Sequence, residues 1–173
     1  MDNVIKENTD IIIEKLLSLL RKLEIEHKLY KHKEVFNMED ISDLDMKFEG
    51  EYCKNLFLRN SKGDVHYLLI IQESKKADLK ELARDIGSTR LSFASNERLY
   101  KYLKLIPGSV TPFGIVNDLE REVIVLLDSD LVGLDKINFH PNTNTATITV
   151  SYKGLNKFLQ YQGNTMNIVK IQC

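Results

Sequence analysis

Cysteine is scarce in this chain: two in 173 residues, Cys53 inside an apolar run and Cys173 at the last position. Thiols so placed make neither a disulfide framework nor a metal-ligand spacing, and they are expected to be free in a reducing cytoplasm. Long apolar runs are missing as well. No stretch nears the ~20 residues that span a bilayer, and Met-Asp-Asn puts no basic segment ahead of the first apolar stretch, so the expectation is a cytoplasmic protein without membrane anchor or leader. Charge of one sign is also lacking, because 24 Lys and Arg against 25 Asp and Glu leave −1 with the histidines neutral. Domains that grip nucleic acid by bulk electrostatics carry an evident basic excess, so any nucleic-acid partner here has to be held locally. No Gly-x-x-x-x-Gly-Lys-Ser/Thr, Gly-x-Gly-x-x-Gly or Gly-x-Ser-x-Gly string is present, which leaves the common nucleotide-binding loops and the serine nucleophile elbow unsupported. His27 and His32, five apart across an expected strand, face opposite sides and do not suit one metal; no metal and no cofactor is expected.

What is present is a core-forming chain. With 43% hydrophobic residues, a domain of this length buries roughly 70% of the surface its unfolded form exposes. The run Thr9 to Glu26 spaces Ile12, Leu16, Leu19, Leu20 and Leu23 as one helical face, with Thr9 or Asp10 as N-cap. A short strand from Glu26 to His32 follows, then a helix over Met38–Phe48 that Asn37 caps. Tyr52–Arg59 and Val65–Gln72 read as a central hairpin around Ser61–Asp64. Helices are expected over Lys76–Ile86 and Ser95–Leu105, and over Tyr152–Gln162, capped by Ser151 and ended by Gly163. The intervening segment from Ile106 to Gly114, holding two of the three prolines, is expected to be irregular. Strands are expected over 121–127, 136–140, 145–150 and 167–171. Helices and strands alternate without strict βαβ order, so the expected fold is a mixed, largely antiparallel α/β domain.

Three separated features carry possible chemistry. Lys54-Asn55 interrupts the apolar strand Tyr-Cys-Lys-Asn-Leu-Phe-Leu; it is either the solvent face of an alternating strand or a placed charge and amide. The loop Gly108-Ser109-Val110-Thr111-Pro112 is either an ordinary connection or a nest whose backbone N–H groups hold a carbonyl or oxyanion. His140, in Phe-His-Pro-Asn at a strand end, is a structural histidine or a functional one. Cys53 and His66 read as packing residues. Singly, none of these decides anything.

Taken in order, Cys-Lys-Asn-Leu-Phe-Leu, Gly-Ser-Val-Thr-Pro-Phe-Gly and Phe-His-Pro-Asn closely resemble the YbaK/ProX family of aminoacyl-tRNA deacylases, over roughly residues 25–171. The resemblance implies the YbaK/ProRS-associated editing-domain fold over residues 25–173, with residues 1–24 a helical extension, and a free-standing editor rather than a synthetase. Lys54-Asn55 looks like the ProX branch, which clears alanine from tRNA(Pro); the YbaK branch, which clears cysteine, typically has Lys-Thr. By the same resemblance Lys54, Asn55 and Gly108 are catalytic: Lys54 neutralises phosphate or backbone near the terminal adenosine, Asn55 orients substrate and water, and the loop's amides face the ester carbonyl. Ser109, Val110, Thr111, Pro112 and His140 bind substrate, and a ribose hydroxyl assists the water. The implied partners are mischarged tRNA(Pro) and prolyl-tRNA synthetase. For the tRNA body, Lys75, Lys76, Lys80 and Arg84, or Lys101, Lys104, Lys153 and Lys157, are candidates, each equally readable as a solvated face. A Cys-tRNA(Pro) or broader deacylase, a non-catalytic tRNA-binding module and a small-molecule hydrolase stay open as alternatives.

Overall fold

Every residue of the strand His66–Gln72 except its last is buried, the pattern of a strand covered on both faces, and the architecture is built around it. The computed structural model describes residues 2–172, with side chains from residue 8 onward; Cys173 lies outside the described residues. Eight strands form one mixed sheet: β1 (Lys28–Lys31), β2 (Glu51–Arg59), β3 (His66–Gln72), β4 (Ser92–Phe93), β5 (Val123–Asp128), β6 (Ile137–Phe139), β7 (Ala146–Val150) and β8 (Met166–Val169). Their order is β1-β7-β6-β2-β3-β5-β8, with β4 on β2. Four pairings are antiparallel and three, β2 with β6, β3 with β5 and β5 with β8, are parallel. The parallel pairs follow from long helical crossovers between their strands, which hairpin turns cannot supply.

The β2–β3 hairpin closes as the sequence indicates. Asn60 Oδ1 accepts the N–H groups of Gly63 (2.9 Å), Asp64 (3.1 Å) and Val65 (3.2 Å), which fixes the register that pairs Arg59 with His66. Along β3, Leu68 and Ile70 enter one core cluster with Phe113 and Phe158, while Leu69 and Ile71 enter the other with Leu58 and Leu82. Alternation thus feeds both faces.

Helix boundaries differ from expectation in instructive ways. Helix α1 spans Asp2–Lys22, so Thr9 and Asp10 lie inside it rather than capping it; no Gly or Pro interrupts the residues before Thr9, and β-branched residues lower helix propensity without stopping a helix. Its Leu16 and Leu20 join the main core. Asn37 does cap α2, its Oδ1 accepting from Asp40 N at 2.9 Å, but α2 covers only Met38–Ser42 and buries none of its residues. Without an apolar face to dock, so short a helix has nothing to extend it toward Phe48. Helix α3 (Leu79–Asp85) is capped by Asp78 instead of starting at Lys76. Helix α4 (Asn96–Leu103) stops where Lys104 turns left-handed. Residues Pro112–Asn117, whose first three fall in the segment expected to be irregular, form a 3-10 helix: Pro112 sits where its missing N–H costs nothing, and Thr111 Oγ1 accepts from Phe113 N. Helix α5 (Tyr152–Gln162) has the expected Ser151 cap and ends at Gly163, whose φ of +78° suits glycine.

His66 is the buried packing residue its sequence context suggests, 1% exposed. Its ring stacks on Phe57 and lies 4.2 Å from the Tyr102 ring centroid. Arg98 Nη1, which can only donate, points at Nε2 from 2.9 Å, so the imidazole is neutral with its proton on Nδ1. Burial first, then the charges of Arg98, Lys101 and Arg59, push its pKa from 6.5 down to about 4, with Asp118 opposing. The unfolded chain therefore takes up a proton below pH 6.5 that the folded one refuses until about pH 4, and stability falls as pH drops through that window. The loss is at most about 3 kcal/mol. Thermal midpoints of wild type and His66→Phe, measured between pH 7 and 4, are expected to show a shallower acid slope in the variant; equal slopes overturn the assignment.

Candidate active site

The edge of β2 facing away from β3 is paired only at its two ends. Glu51 and Tyr52 pair with β6, and Leu58 and Arg59 with β4. The sheet is split between, and a cavity of about 300 Å³ opens there. Four successive β2 residues, Tyr52, Cys53, Lys54 and Asn55, line it. A pocket on one face of a sheet does not permit that, since neighbours point to opposite faces; a gap in the sheet does.

The loop from Ile106 to Thr111 runs along the split. Asn55 Nδ2 donates to Val110 O at 3.1 Å, and Asn55 Oδ1 is buried with no protein partner. Gly108 and Val110 line the cavity. Gly108 has φ +87°, so its backbone conformation favours glycine, and a Cβ there would stand 2.9 Å from Cδ1 of the exposed Phe36 ring. Among the described residues, no protein acceptor takes the amides of Gly108 and Val110, whereas Ser109 N–H is closed on Ile106 O at 3.1 Å.

On the β6 side, Asn138, Phe139 and His140 form the wall. His140 Nδ1 lies 3.1 Å from the Ala146 carbonyl; a carbonyl only accepts, so Nδ1 carries the proton and Nε2 keeps its lone pair. Burial holds this imidazole below its ordinary pKa, against the opposing pull of that carbonyl. Thr147, also lining the cavity, is bonded to His32 Nε2 through Oγ1 at 2.9 Å. Phe36 and α2 make the outer rim, where Asp40 Oδ2 accepts Phe36 N at 2.8 Å.

Lys54 Nζ donates to the Glu73 carbonyl oxygen at 3.0 Å. Glu73, just beyond β3, is the one carboxylate that lines this cavity beside it. Cys53 also faces the cavity rather than sitting wholly in the core. Burial, reinforced by the carboxylates of Glu51, Asp128 and Glu73, pushes its thiol pKa far up, so it is no nucleophile. Burial similarly raises Tyr52 to about 12.

Of the sequence-nominated residues, Lys54, Asn55, Gly108, Val110 and His140 converge on one cavity. Ser109, Thr111 and Pro112 do not line it. Ser109 Oγ donates to Ile106 O at 2.9 Å, Thr111 caps the 3-10 helix, and Pro112 begins it. Rim residues Phe36 and Asn37 and the wall residue Glu73 went unnominated; Glu73 ending an apolar strand was the available signal. Lys75 needs correction, being 3% exposed and ion-paired rather than presented to solvent; Lys76, Lys80, Arg84, Lys101, Lys104, Lys153 and Lys157 are exposed. Among the described residues, no cluster of three or more His, Cys, Asp or Glu could hold a metal, and no helix is long and apolar enough to cross a membrane.

A split mixed sheet whose gap gathers a lysine, an amide, a glycine loop and a histidine is a candidate active site, and comparison with known proteins gives the class of domain that carries it. The family model of the aminoacyl-tRNA editing domain matches residues 32–158. The chain is 43% identical over 156 residues to the prolyl-tRNA editing protein ProX of Acetoanaerobium sticklandii, covering 90% of this chain and 95% of that one. It is 34% identical over 152 residues to prolyl-tRNA synthetase associated domain-containing protein 1 of Danio rerio, covering 87% and 82%. The fold matches the crystal structure of a candidate trans-editing enzyme for prolyl tRNA synthetase with TM-score 0.62 at 19% identity, covering 85% of this chain and 87% of that one. The chain belongs to the aminoacyl-tRNA editing domain family, together with the prolyl-tRNA editing proteins.

Proposed function

We propose that this protein, an aminoacyl-tRNA deacylase, acts in trans to hydrolyse the alanyl ester of mischarged tRNA(Pro). The observation that carries the reading is the convergence of Lys54, Asn55, Gly108, Val110 and His140 on one cavity of about 300 Å³, the small end of ligand pockets. Such a volume suits a small aminoacyl group on a terminal nucleoside.

The ester is already activated, so the protein has to position water and stabilise charge more than supply a nucleophile. Lys54 neutralises a phosphate or backbone oxygen near the terminal adenosine. Asn55 Oδ1, buried and unpartnered, accepts a hydrogen bond from the attacking water or ribose hydroxyl. The amides of Gly108 and Val110 face the carbonyl oxygen as it becomes an oxyanion. Water adds to that carbonyl, the carbon–oxygen bond to the ribose breaks, and the ribose oxygen takes the proton, releasing alanine and intact tRNA. His140 bounds the aminoacyl end with a neutral ring. Ser109, Thr111 and Pro112 serve by holding the loop's shape. Proline is spared sterically: rejecting a ring needs only a small pocket, whereas preferring proline over alanine by contact yields only ~1–3 kcal/mol per methylene.

The test is ester loss from Ala-, Cys- and Pro-charged tRNA(Pro). Alanine is expected to be cleared at least ~10-fold faster than proline. Faster clearance of cysteine moves the assignment to the Cys-tRNA(Pro) alternative. No loss above buffer on any of the three ends the enzymatic reading in favour of a binding module, and hydrolysis of free amino-acid esters without tRNA replaces it with a small-molecule hydrolase.

A further inference from the structure

We propose that Lys75 is a positioning residue for Lys54: a buried cation that fixes the turn whose carbonyl holds the Lys54 ammonium. The inference rests on the deacylase reading above.

Strand β3 ends at Gln72, and the chain turns back through a bond from Lys75 N–H to Gln72 O at 3.1 Å. Within that turn Glu73 is stitched to β2 twice. Its N–H donates to Tyr52 O at 2.8 Å, and its carbonyl accepts Lys54 Nζ at 3.0 Å. Wherever the turn sits, the Lys54 ammonium follows.

Lys75 ties this turn to the far side of the sheet. Its Nζ lies 2.7 Å from Asp128 Oδ2 and 2.6 Å from Asp130 Oδ2, and 2.9 Å from Ile171 O. The ammonium donates a hydrogen bond to the Ile171 carbonyl and is flanked by the two carboxylates as ion-pair partners. The lysine is 3% exposed and Asp128 not at all, so this cation cannot serve the surface of a tRNA. Burial alone would lower the Lys75 pKa, but the bonds and charges of Asp128 and Asp130 outweigh it and keep the cation charged. A buried ion pair is a weak device for stability, since packed apolar groups do as well. Its distinctive property is directional: it holds the turn after β3, the end of β5 and the C-terminal segment at fixed separations.

The experiment compares wild type with Lys75→Met, Lys75→Arg and the double variant Lys75→Met/Asp128→Asn, which leaves no uncompensated buried charge. The double variant is expected to regain most of the thermal midpoint lost in Lys75→Met. It is nevertheless expected to lose ~10- to 10²-fold in kcat/KM for Ala-tRNA(Pro), mostly through KM, with partial recovery in Lys75→Arg. In the Lys54→Ala background the same pair of changes is expected to cost nothing more, because the residue being positioned is gone. Full additivity with Lys54→Ala, or wild-type KM in the double variant, overturns the proposal. If wild type clears none of the charged tRNAs, the deacylase reading has failed separately. The clamp is then read from the Lys54 ammonium resonance in ¹⁵N-lysine spectra: a shift in the double variant supports the clamp, and an unchanged resonance overturns it.

Discussion

Replacing Lys54 by alanine is expected to lower kcat/KM for Ala-tRNA(Pro) by ~30-fold or more while leaving the fold intact. The chemical part of the estimate comes from the environment. Lys54 is half-buried in the cavity, held by one carbonyl 3.0 Å away, and forms no ion pair among the described residues, so its charge is available to the substrate. Losing one partner of a buried, hydrogen-bonded charge pair costs about 2–5 kcal/mol, which is roughly 30-fold to several-thousand-fold in rate. The structural part predicts little change. Truncation frees only the Glu73 carbonyl, at the wall of an open cavity where water replaces the ammonium, so the midpoint of unfolding should move by no more than about 0.5 kcal/mol equivalent. Lys54→Arg should recover part of the activity, since it keeps the charge but replaces a compact ammonium with a larger planar fork. Single-turnover deacylation with a matched thermal melt checks both parts. A Lys54→Ala protein as fast as wild type removes this residue from the mechanism.

What the sequence could and could not disclose divides along contact distance. The Lys54-Asn55 interruption, the glycine-proline loop and the strand-end histidine are local signals, each readable from a few neighbouring residues. That they meet is not local. It depends on β2 being unpaired between Tyr52 and Leu58 on one edge, and that gap arises because β6 and β4 pair with opposite ends of β2. No periodicity encodes a missing partner. The hairpin and the Ser151 and Asn37 caps are legible for the same reason that the parallel pairs β3–β5 and β5–β8 are not: caps and tight turns lie within a few residues, whereas parallel partners are joined by whole helices.

Lys75 shows the limit most clearly. In Glu-Ser-Lys-Lys it has the look of a solvated charge ahead of a helix, and Lys76 beside it is one. The difference lies in Asp128 and Asp130, more than fifty residues on, which close over it at 2.7 and 2.6 Å. Charge burial is a property of tertiary partners, so a run of lysines cannot announce which member is inside. Ser109, Thr111 and Pro112 illustrate the converse. They belong to the loop motif as strongly as Gly108 and Val110 do, yet they turn away from the cavity: Ser109 and Thr111 bond the loop locally and Pro112 starts the 3-10 helix.

Phe113→Ala is expected to be the most damaging substitution to stability, and its effect should reach the site. Phe113 is fully buried, its ring set edge-on to Phe158 at 5.0 Å and to Phe139 at 5.9 Å. Truncating such a ring costs about 3–5 kcal/mol through lost transfer energy and the cavity left behind. Lost edge-to-face contacts belong to the same loss. Against a total stability of about 5–15 kcal/mol this is a large share, and for a chain of this size it corresponds to a midpoint lowered by roughly 6–20 °C. The same ring anchors the start of the 3-10 helix directly after Thr111, so it holds the Gly108–Val110 segment in the gap, and its neighbour Phe139 lines the cavity. Deacylation by the folded fraction should therefore fall as well, because the loop's amides lose their fixed position against the ester. Phe113→Leu, which keeps most of the volume, separates the two effects: it should restore most of the stability and most of the activity together. Chemical denaturation and deacylation measured on both variants give the answer, and an alanine variant within about 1 kcal/mol of wild type would show that the aromatic cluster does not anchor this loop.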